Sequence, residues 1–388
     1  VYRFEAFLLR IVCIAMAAAF AMTACSGTTG STGTTRTYYI AADEVLWNYA
    51  PAGINDVMGM PFNATERPYA VRDAHHIGPV YWKAIYREYT DATFTQLKPR
   101  PADQAYLGVL GPIIHAEVGD IIKVVFKNNA TRPYSIHPHG VLYTKEFEGM
   151  SYNDGSPAST KLGGAVPPGA TFTYYWRVPE RAGPGPNDPS SVAWLYHSHT
   201  EDQRDVESGL VGAIIVTARG MARADATPKD VDKEFVTLFF IDNENQSWYI
   251  DRNIARFTPT ITKPLRGQGI GVDDEGNVTL TGRGFADGNF KFAINGYLYA
   301  NGPKLVMHKG DRVRWYVLDI GDGLNLHTPH WHGNTVLWAK QRVDVLNIGP
   351  AQSLTADMEA DNPGIWLYHC HVAEHLAAGM SALYEVLP

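Results

Sequence analysis

Two hexapeptides decide how this chain folds: Trp194-Leu195-Tyr196-His197-Ser198-His199 and Trp366-Leu367-Tyr368-His369-Cys370-His371. They differ at one aligned position, Ser198 against Cys370, apart from their 172-residue separation. Each has an earlier companion, His137-Pro138-His139-Gly140 and His330-Trp331-His332-Gly333, themselves 193 residues apart. Offsets of this size mark a duplicated domain rather than a short solenoid repeat. Each copy shows short apolar runs such as Thr171–Val178 and Phe235–Phe240, split by turn residues. That pattern predicts an all-β chain of two Greek-key β-sandwich domains.

Composition agrees. The 388 residues include 36 Gly, 24 Pro and 21 Tyr, which favour turns and strands over a helical bundle. A net charge of −7 leaves no basic footprint for nucleic acid. Three cysteines cannot staple a chain of this size.

Residues 1–25 read as a lipoprotein-type export signal. Arg3 and Arg10 flank the front, an apolar run Ile11–Met22 follows, and Met22-Thr23-Ala24-Cys25 puts small residues before a cysteine. Cys25 is then the expected lipidation site, with an ordinary signal cut nearby as the other reading. Residues 26–37 are expected to be a flexible tether. The first domain is expected over 38–219 and the second over 234–388, separated by the polar segment 218–233. Export to the periplasm or cell surface follows, with membrane contact only through the lipid. Cys370 is left as the single cysteine of the mature chain, and a lone thiol in an oxidising compartment needs a reason.

Fourteen His would give roughly half of one H-x-H pair by chance, and the chain has four. Residues two apart on a strand point to one face, so each pair projects two imidazoles together. Eight imidazoles exceed one tetrahedral zinc site and suit a multinuclear centre at a domain interface. Cys370 lies between His369 and His371 and so faces the opposite side. His327, His375 and Met380 complete two imidazoles, a thiolate and a thioether, the ligand set of a blue copper site. In the first copy Tyr134, Ser198, Gln203 and Leu210 take the corresponding places, so one blue copper is expected, in the second domain only.

These motifs resemble the copper signatures of the multicopper oxidases, which are built from cupredoxin domains. Tyr86-Arg87-Glu88-Tyr89-Thr90-Asp91, Leu107-Gly108-Val109-Leu110-Gly111-Pro112 and Ala293-Ile294-Asn295-Gly296 resemble the ceruloplasmin-type members in particular. The resemblance, from about Tyr38 to Pro388, implies a two-domain member with about four coppers per subunit. It implies a type 2 copper on His137 and His330. It implies a type 3 pair on His139, His197, His199, His332, His369 and His371, and a type 1 copper on His327, Cys370, His375 and axial Met380. It implies a homotrimer in which the first domain of one subunit meets the second domain of the next. Donor electrons would enter near His375, cross Cys370 and reduce O2 to water. Tyr143 and Glu148 match a tyrosine and an acid placed near the cluster in some members, where the acid could relay protons.

The expected donor is a small reducing substrate, phenolic or aromatic as in laccases, with Fe(II) or Cu(I) as the alternative. Ceruloplasmin-type ferroxidases carry a His just before Ala-Ile-Asn-Gly and an acid five residues earlier. Here those places hold Phe292 and Asp287, which puts an iron site in doubt. Met58 and Met60 could offer soft sulfur to Cu(I), and Glu374 could hold a cation beside His375. Copper nitrite reduction is a further alternative, but it needs the thiolate in the first domain. A non-catalytic copper protein or scaffold would be expected to have lost ligands. His75, His76, His115 and His308 are expected to be surface or core residues.

Overall fold

The computed structural model describes residues 33–259, 270–272, 278–280 and 284–388, the two short stretches by backbone alone. The export signal and Cys25 lie outside the described residues. No helix among the described residues is long and apolar enough to cross a membrane.

The first unit contains β1 (Thr35–Asn48), β2 (Val80–Tyr89), β3 (Ile114–Glu117), β4 (Ile121–Asn128), β5 (His137–Pro138), β6 (Thr171–Arg177), β7 (Ser191–His197) and β8 (Val211–Thr217). Its two sheets run β2-β1-β4-β6 and β3-β8-β7-β5. The second contains β9 (Lys233–Asn243), β10 (Ile270–Val272), β11 (Val278–Leu280), β12 (Phe290–Ile294), β13 (Leu305–His308), β14 (Arg312–Asp319), β15 (Pro329–Trp331), β16 (Val336–Trp338), β17 (Gln341–Val343), β18 (Ser353–Glu359), β19 (Gly364–Cys370) and β20 (Ser381–Leu387). Its sheets run β12-β9-β14-β18-β16-β17 and β13-β20-β19-β15, with β10 and β11 pairing separately. Both units are cupredoxin-type sandwiches. Parallel β1–β4 in one matches parallel β9–β14 in the other, and β3–β8 matches β13–β20. Among the described residues four short α-helices punctuate them: α1 (Arg67–Ala70), α2 (Asp202–Glu207), α3 (Ile250–Phe257) and α4 (Ala373–Ala377).

Local sequence explains the strands. Val211-Gly212-Ala213-Ile214-Ile215-Val216-Thr217 is buried at every position, the signature of a strand covered on both faces. Thr35–Thr37, expected at the end of the tether, instead open β1 and pair with Ile121–Lys123. The strand is extended because Asp120 accepts from Thr34 N–H and from Arg36.

The two sandwiches share an apolar core. Tyr49, Phe62, Tyr81, Leu195 and Val211 of the first pack in one cluster with Phe239, Phe292, Trp315 and Tyr368 of the second. Arg314 seals the joint. Its guanidinium donates to Ser190 and Ser191 of the first unit and to Asp230 and Asp357.

Candidate metal centres

In each unit two neighbouring strands carry the H-x-H pairs. β5 pairs with β7, setting His137 opposite His197, and β15 pairs with β19, setting His330 opposite His369. The glycine after each first pair is a geometric requirement. Gly140 and Gly333 both have φ of +73°, and a Cβ there would lie 2.2 Å from Trp194 or 2.6 Å from Trp366. Each indole therefore closes over the turn that aims the imidazoles, and donates to Ala182 or Asn362 carbonyl oxygen.

The first four imidazoles form one group. The His137 ring lies 5.1–5.7 Å from those of His139, His197 and His199, and His139 Nε2 is 3.1 Å from His197 Nε2. The second four repeat it. The His330 ring lies 4.8–5.3 Å from His332, His369 and His371, and His332 Nε2 is 3.0 Å from His369 Nε2. Among the described residues no hydrogen bond or ring contact joins one group to the other.

The outer ring nitrogens are held in place. Nδ1 of His137, His330 and His369 lies 2.6, 3.0 and 2.7 Å from the carbonyl oxygens of Glu148, Asp344 and Cys370. A carbonyl only accepts, so the proton sits on Nδ1 and the lone pair is left on Nε2, facing inward. His197 Nδ1 meets the Ser198 carbonyl at 3.1 Å and the Asp202 carboxylate at 3.0 Å. Anchoring of the far nitrogen is the usual support of a metal-binding imidazole. Burial, reinforced by neighbouring imidazoles, lowers His137 and His369 to about 4 and His139 to about 3, so these rings stay neutral.

A third group lies on the opposite face of β19. Cys370 Sγ is 3.5 Å from His375 Nδ1 and 3.8 Å from His327 Nδ1, and the two nitrogens are 3.2 Å apart. Here Nδ1 faces inward because His327 Nε2 is tied to Asn325 Oδ1 at 3.3 Å. Met380 is fully buried. Its carbonyl accepts from Cys370 N–H and its N–H donates to His375 carbonyl, which brings it beside the other three. Burial pushes the Cys370 thiol up, and Thr328 N–H donates to its sulfur at 3.4 Å.

In the first unit the corresponding place is filled. Ser198 Oγ donates to Asp205 Oδ2 at 2.7 Å and accepts from Ser135 N–H. Trp248 Nε1 donates to the other Asp205 oxygen at 2.8 Å. Burial raises the Asp205 carboxyl.

Tyr143 packs edge-on against His137 with ring centres 5.8 Å apart. The Glu148 carbonyl anchors His137, while its carboxylate is engaged by Lys145 at 2.8 Å and Tyr152 at 3.1 Å. His76, His115 and His308 stand beside Asp73, Glu234 and Asp311, away from the clusters, and His75 is exposed. Sequence reasoning missed Asp202, Asp205 and Asn325. Asn325, two before His327, was the most findable.

Two family models, each described as multicopper oxidase, match residues 90–220 and 273–388, together more than half the chain. This chain belongs to the multicopper oxidase family. It is 42% identical to the Homo sapiens protein named ferroxidase HEPHL1, 39% to Mus musculus hephaestin and 38% to Homo sapiens ceruloplasmin. In each case 91% of this chain aligns with only 29–31% of the relative. It therefore spans about a third of the length of those relatives. Two solved structures share the fold at 20% identity: a multicopper oxidase named mgLAC (TM-score 0.56) and a blue copper oxidase from Nitrosomonas europaea (TM-score 0.54). Each covers 91% of this chain and 86% of its own. Copper in type 1, type 2 and type 3 centres is the cofactor of the family. The donor set of this chain fits it: imidazole nitrogens converge in two groups, and two Nδ1 meet the Cys370 sulfur in the third.

Proposed function

We propose that this oxidase takes electrons from a metal ion, Fe(II) first, and delivers them to O2, as an exported homotrimer. The carrying observation is the double face of β19. Cys370 faces His327 and His375, while its bonded neighbours His369 and His371 face His330 and His332. The chain thus links the thiolate group to an imidazole group through covalent bonds alone.

On this reading His327, Cys370, His375 and Met380 hold the type 1 copper. His137 and His330 hold type 2, and His139, His197, His199, His332, His369 and His371 hold type 3. When bound, copper supplies the one-electron steps and the Lewis acidity for O2 reduction. The side chains do the rest. Backbone carbonyls and Asp202 fix the imidazole tautomers, and Tyr143 and Glu148 border the His137 side. Two separate four-imidazole groups in one chain favour completion between subunits. In the second group His332 and His371 are exposed, as an interface awaiting a partner requires.

The phenolic donor favoured by motifs alone gives way to a metal ion because the relatives bear ferroxidase names. Asp287 is fully buried and the Phe292 ring packs 5.4 Å from that of His375, so neither serves as a surface iron ligand. Exposed Glu374, beside His375, is the carboxylate left to receive a cation. Cu(I) is a second reading. Met58 and Met60 are 66% and 59% exposed, on a loop tied to Tyr299, which in turn bonds Ala377 at the end of α4 and Gly379 beyond it. The test is kcat/KM for Fe(II), Cu(I) and a phenol with O2 uptake recorded. Fe(II) should exceed the phenol by about tenfold or more; a phenol oxidised faster than both ions contradicts the proposal.

A further inference from the structure

The segment that follows β2 runs back beside its outer edge and ends in the turn 107–112. Arg100 clamps that turn. Its guanidinium donates to the Gly108 carbonyl at 2.9 Å and to the Leu110 carbonyl at 2.7 Å. The second unit holds the same turn from the other side. Val109 N–H donates to the Asn295 carbonyl at 3.2 Å, and Asn295 Nδ2 donates to the Tyr106 carbonyl at 3.0 Å. Gly108 sits at φ +53°, where a Cβ would lie 2.0 Å from the Asn295 oxygen, so the turn has no room to shift. The guanidinium fork is therefore fixed in place with N–H groups to spare.

Arg100 borders a half-enclosed cavity of about 580 Å³, within the range of about 300–1,000 Å³ typical of small-molecule sites. Ile85, Leu97, Leu107 and Ile113 supply apolar wall. Its other charged groups are engaged. Arg87 faces Asp43 at 3.5 Å, and Lys98 pairs with Glu88 at 2.9 Å. Asp225 accepts from the Thr227 N–H at 3.1 Å and from its hydroxyl at 2.7 Å. His115 has Glu234 at 3.7 Å. Among the described residues, Arg100 is the cation of this cavity that meets no carboxylate. Desolvation lowers its pKa, and the strongest permanent charge acting on it is Arg87, a second cation. A desolvated charge without an opposite charge is costly, and carbonyl dipoles offset only part of that cost. The residue stays exposed enough for a ligand to reach it.

We propose that this cavity binds a small organic carboxylate, its anionic head on Arg100 and its apolar body against Ile85, Leu97, Leu107 and Ile113. A carboxylate matches the guanidinium fork in shape and supplies the missing charge. The apolar wall favours an anion with a hydrocarbon body over a bare inorganic one, which would leave that wall wet. None of the residues around the cavity is an imidazole of the three clusters. The inference therefore goes beyond the oxidase reading and stands apart from it. A bound carboxylate also braces the turn 107–112 against the second unit, so occupancy stabilises the joint.

The test is calorimetric titration of the full copper-loaded chain with phenylacetate. Phenylacetamide keeps the body without the charge, and inorganic phosphate keeps the charge without the body. Phenylacetate should bind saturably, with Kd of about 1 mM or below, and should raise Tm with concentration. The amide and phosphate should each bind about tenfold more weakly or worse. Arg100→Gln should weaken phenylacetate by about tenfold or more, with copper content and the blue band as in the parent. Gln104→Trp fills the cavity from its wall and leaves Arg100 in place. It should abolish binding, and it carries the test if loss of the carbonyl clamp unfolds the Arg100 variant. No saturable binding overturns the proposal, as does an amide or phosphate that binds as tightly as phenylacetate. Binding retained in the variants also overturns it, since a carboxylate held by copper would persist in both.

Discussion

The first and second units set their H-x-H strands on one plan and then part at a single position. In the second, Cys370 looks out at His327 and His375. In the first, Ser198 looks out at Asp205, which is satisfied by Trp248 Nε1 and Glu201 N–H as well. The thiolate position is taken by a closed hydrogen-bond network, and the paired strands that carry it keep one plan. A buried thiolate site cannot lose its cysteine and stay polar inside unless new partners satisfy what remains. The cluster faces differ too. His139 and His199 are half-buried in the first unit, whereas their counterparts His332 and His371 are exposed in the second.

The largest expected break in this comparison is Cys370→Ser. It makes the second unit like the first at the deciding atom. The blue band should vanish and donor oxidation should drop to background while imidazole-bound copper remains; a surviving blue band would mean the thiolate lies elsewhere. Next is Asp202→Ala, which leaves His197 Nδ1 with the Ser198 carbonyl as its remaining anchor, in the first unit only. Copper affinity of the cluster should fall about 10–100-fold, read by competition with a chelator, with the blue band intact.

Arg314→Met tests the joint between the units. Losing its charge-assisted bonds to Asp230 and Asp357 should cost about 1.5–3 kcal/mol of stability at neutral pH. Bonds from Ser190 and Arg314 hold the Asp230 carboxyl below its ordinary range. Its contribution is therefore present above the unfolded pKa of about 3.9 and lost as pH falls through the lower folded value. The deficit of the variant, measured by denaturant unfolding, should narrow below pH ~4. The smallest effect is expected from Ser198→Cys. Tyr134 and Gln203 offer no imidazole there, so no second blue band should appear on copper loading; its appearance would show that the thiolate alone defines the site.

The sandwiches and all three imidazole groups were legible because strand period and H-x-H spacing are local signals. The opposed facing of Cys370 followed from the same period. What escaped depends on contacts distant in sequence. Asp205 and Glu207 sit on a six-residue helix with no periodic signature, and their partners Trp248 and Asn243 lie 36 to 43 residues further along the chain, at and beyond the end of β9. The fused core was hidden for the same reason: Tyr69 of the first unit packs on Phe292 of the second, which packs on His375. Fe(II) against phenol was illegible because the motif that would have spoken for iron has Phe292 in place of its histidine.

The most direct measurement is native mass spectrometry of the copper-loaded protein with its visible spectrum. The account predicts a trimer holding about four coppers per chain, one of them blue. A monomer that holds the full copper complement and consumes O2, or a trimer with one copper per chain, would contradict it.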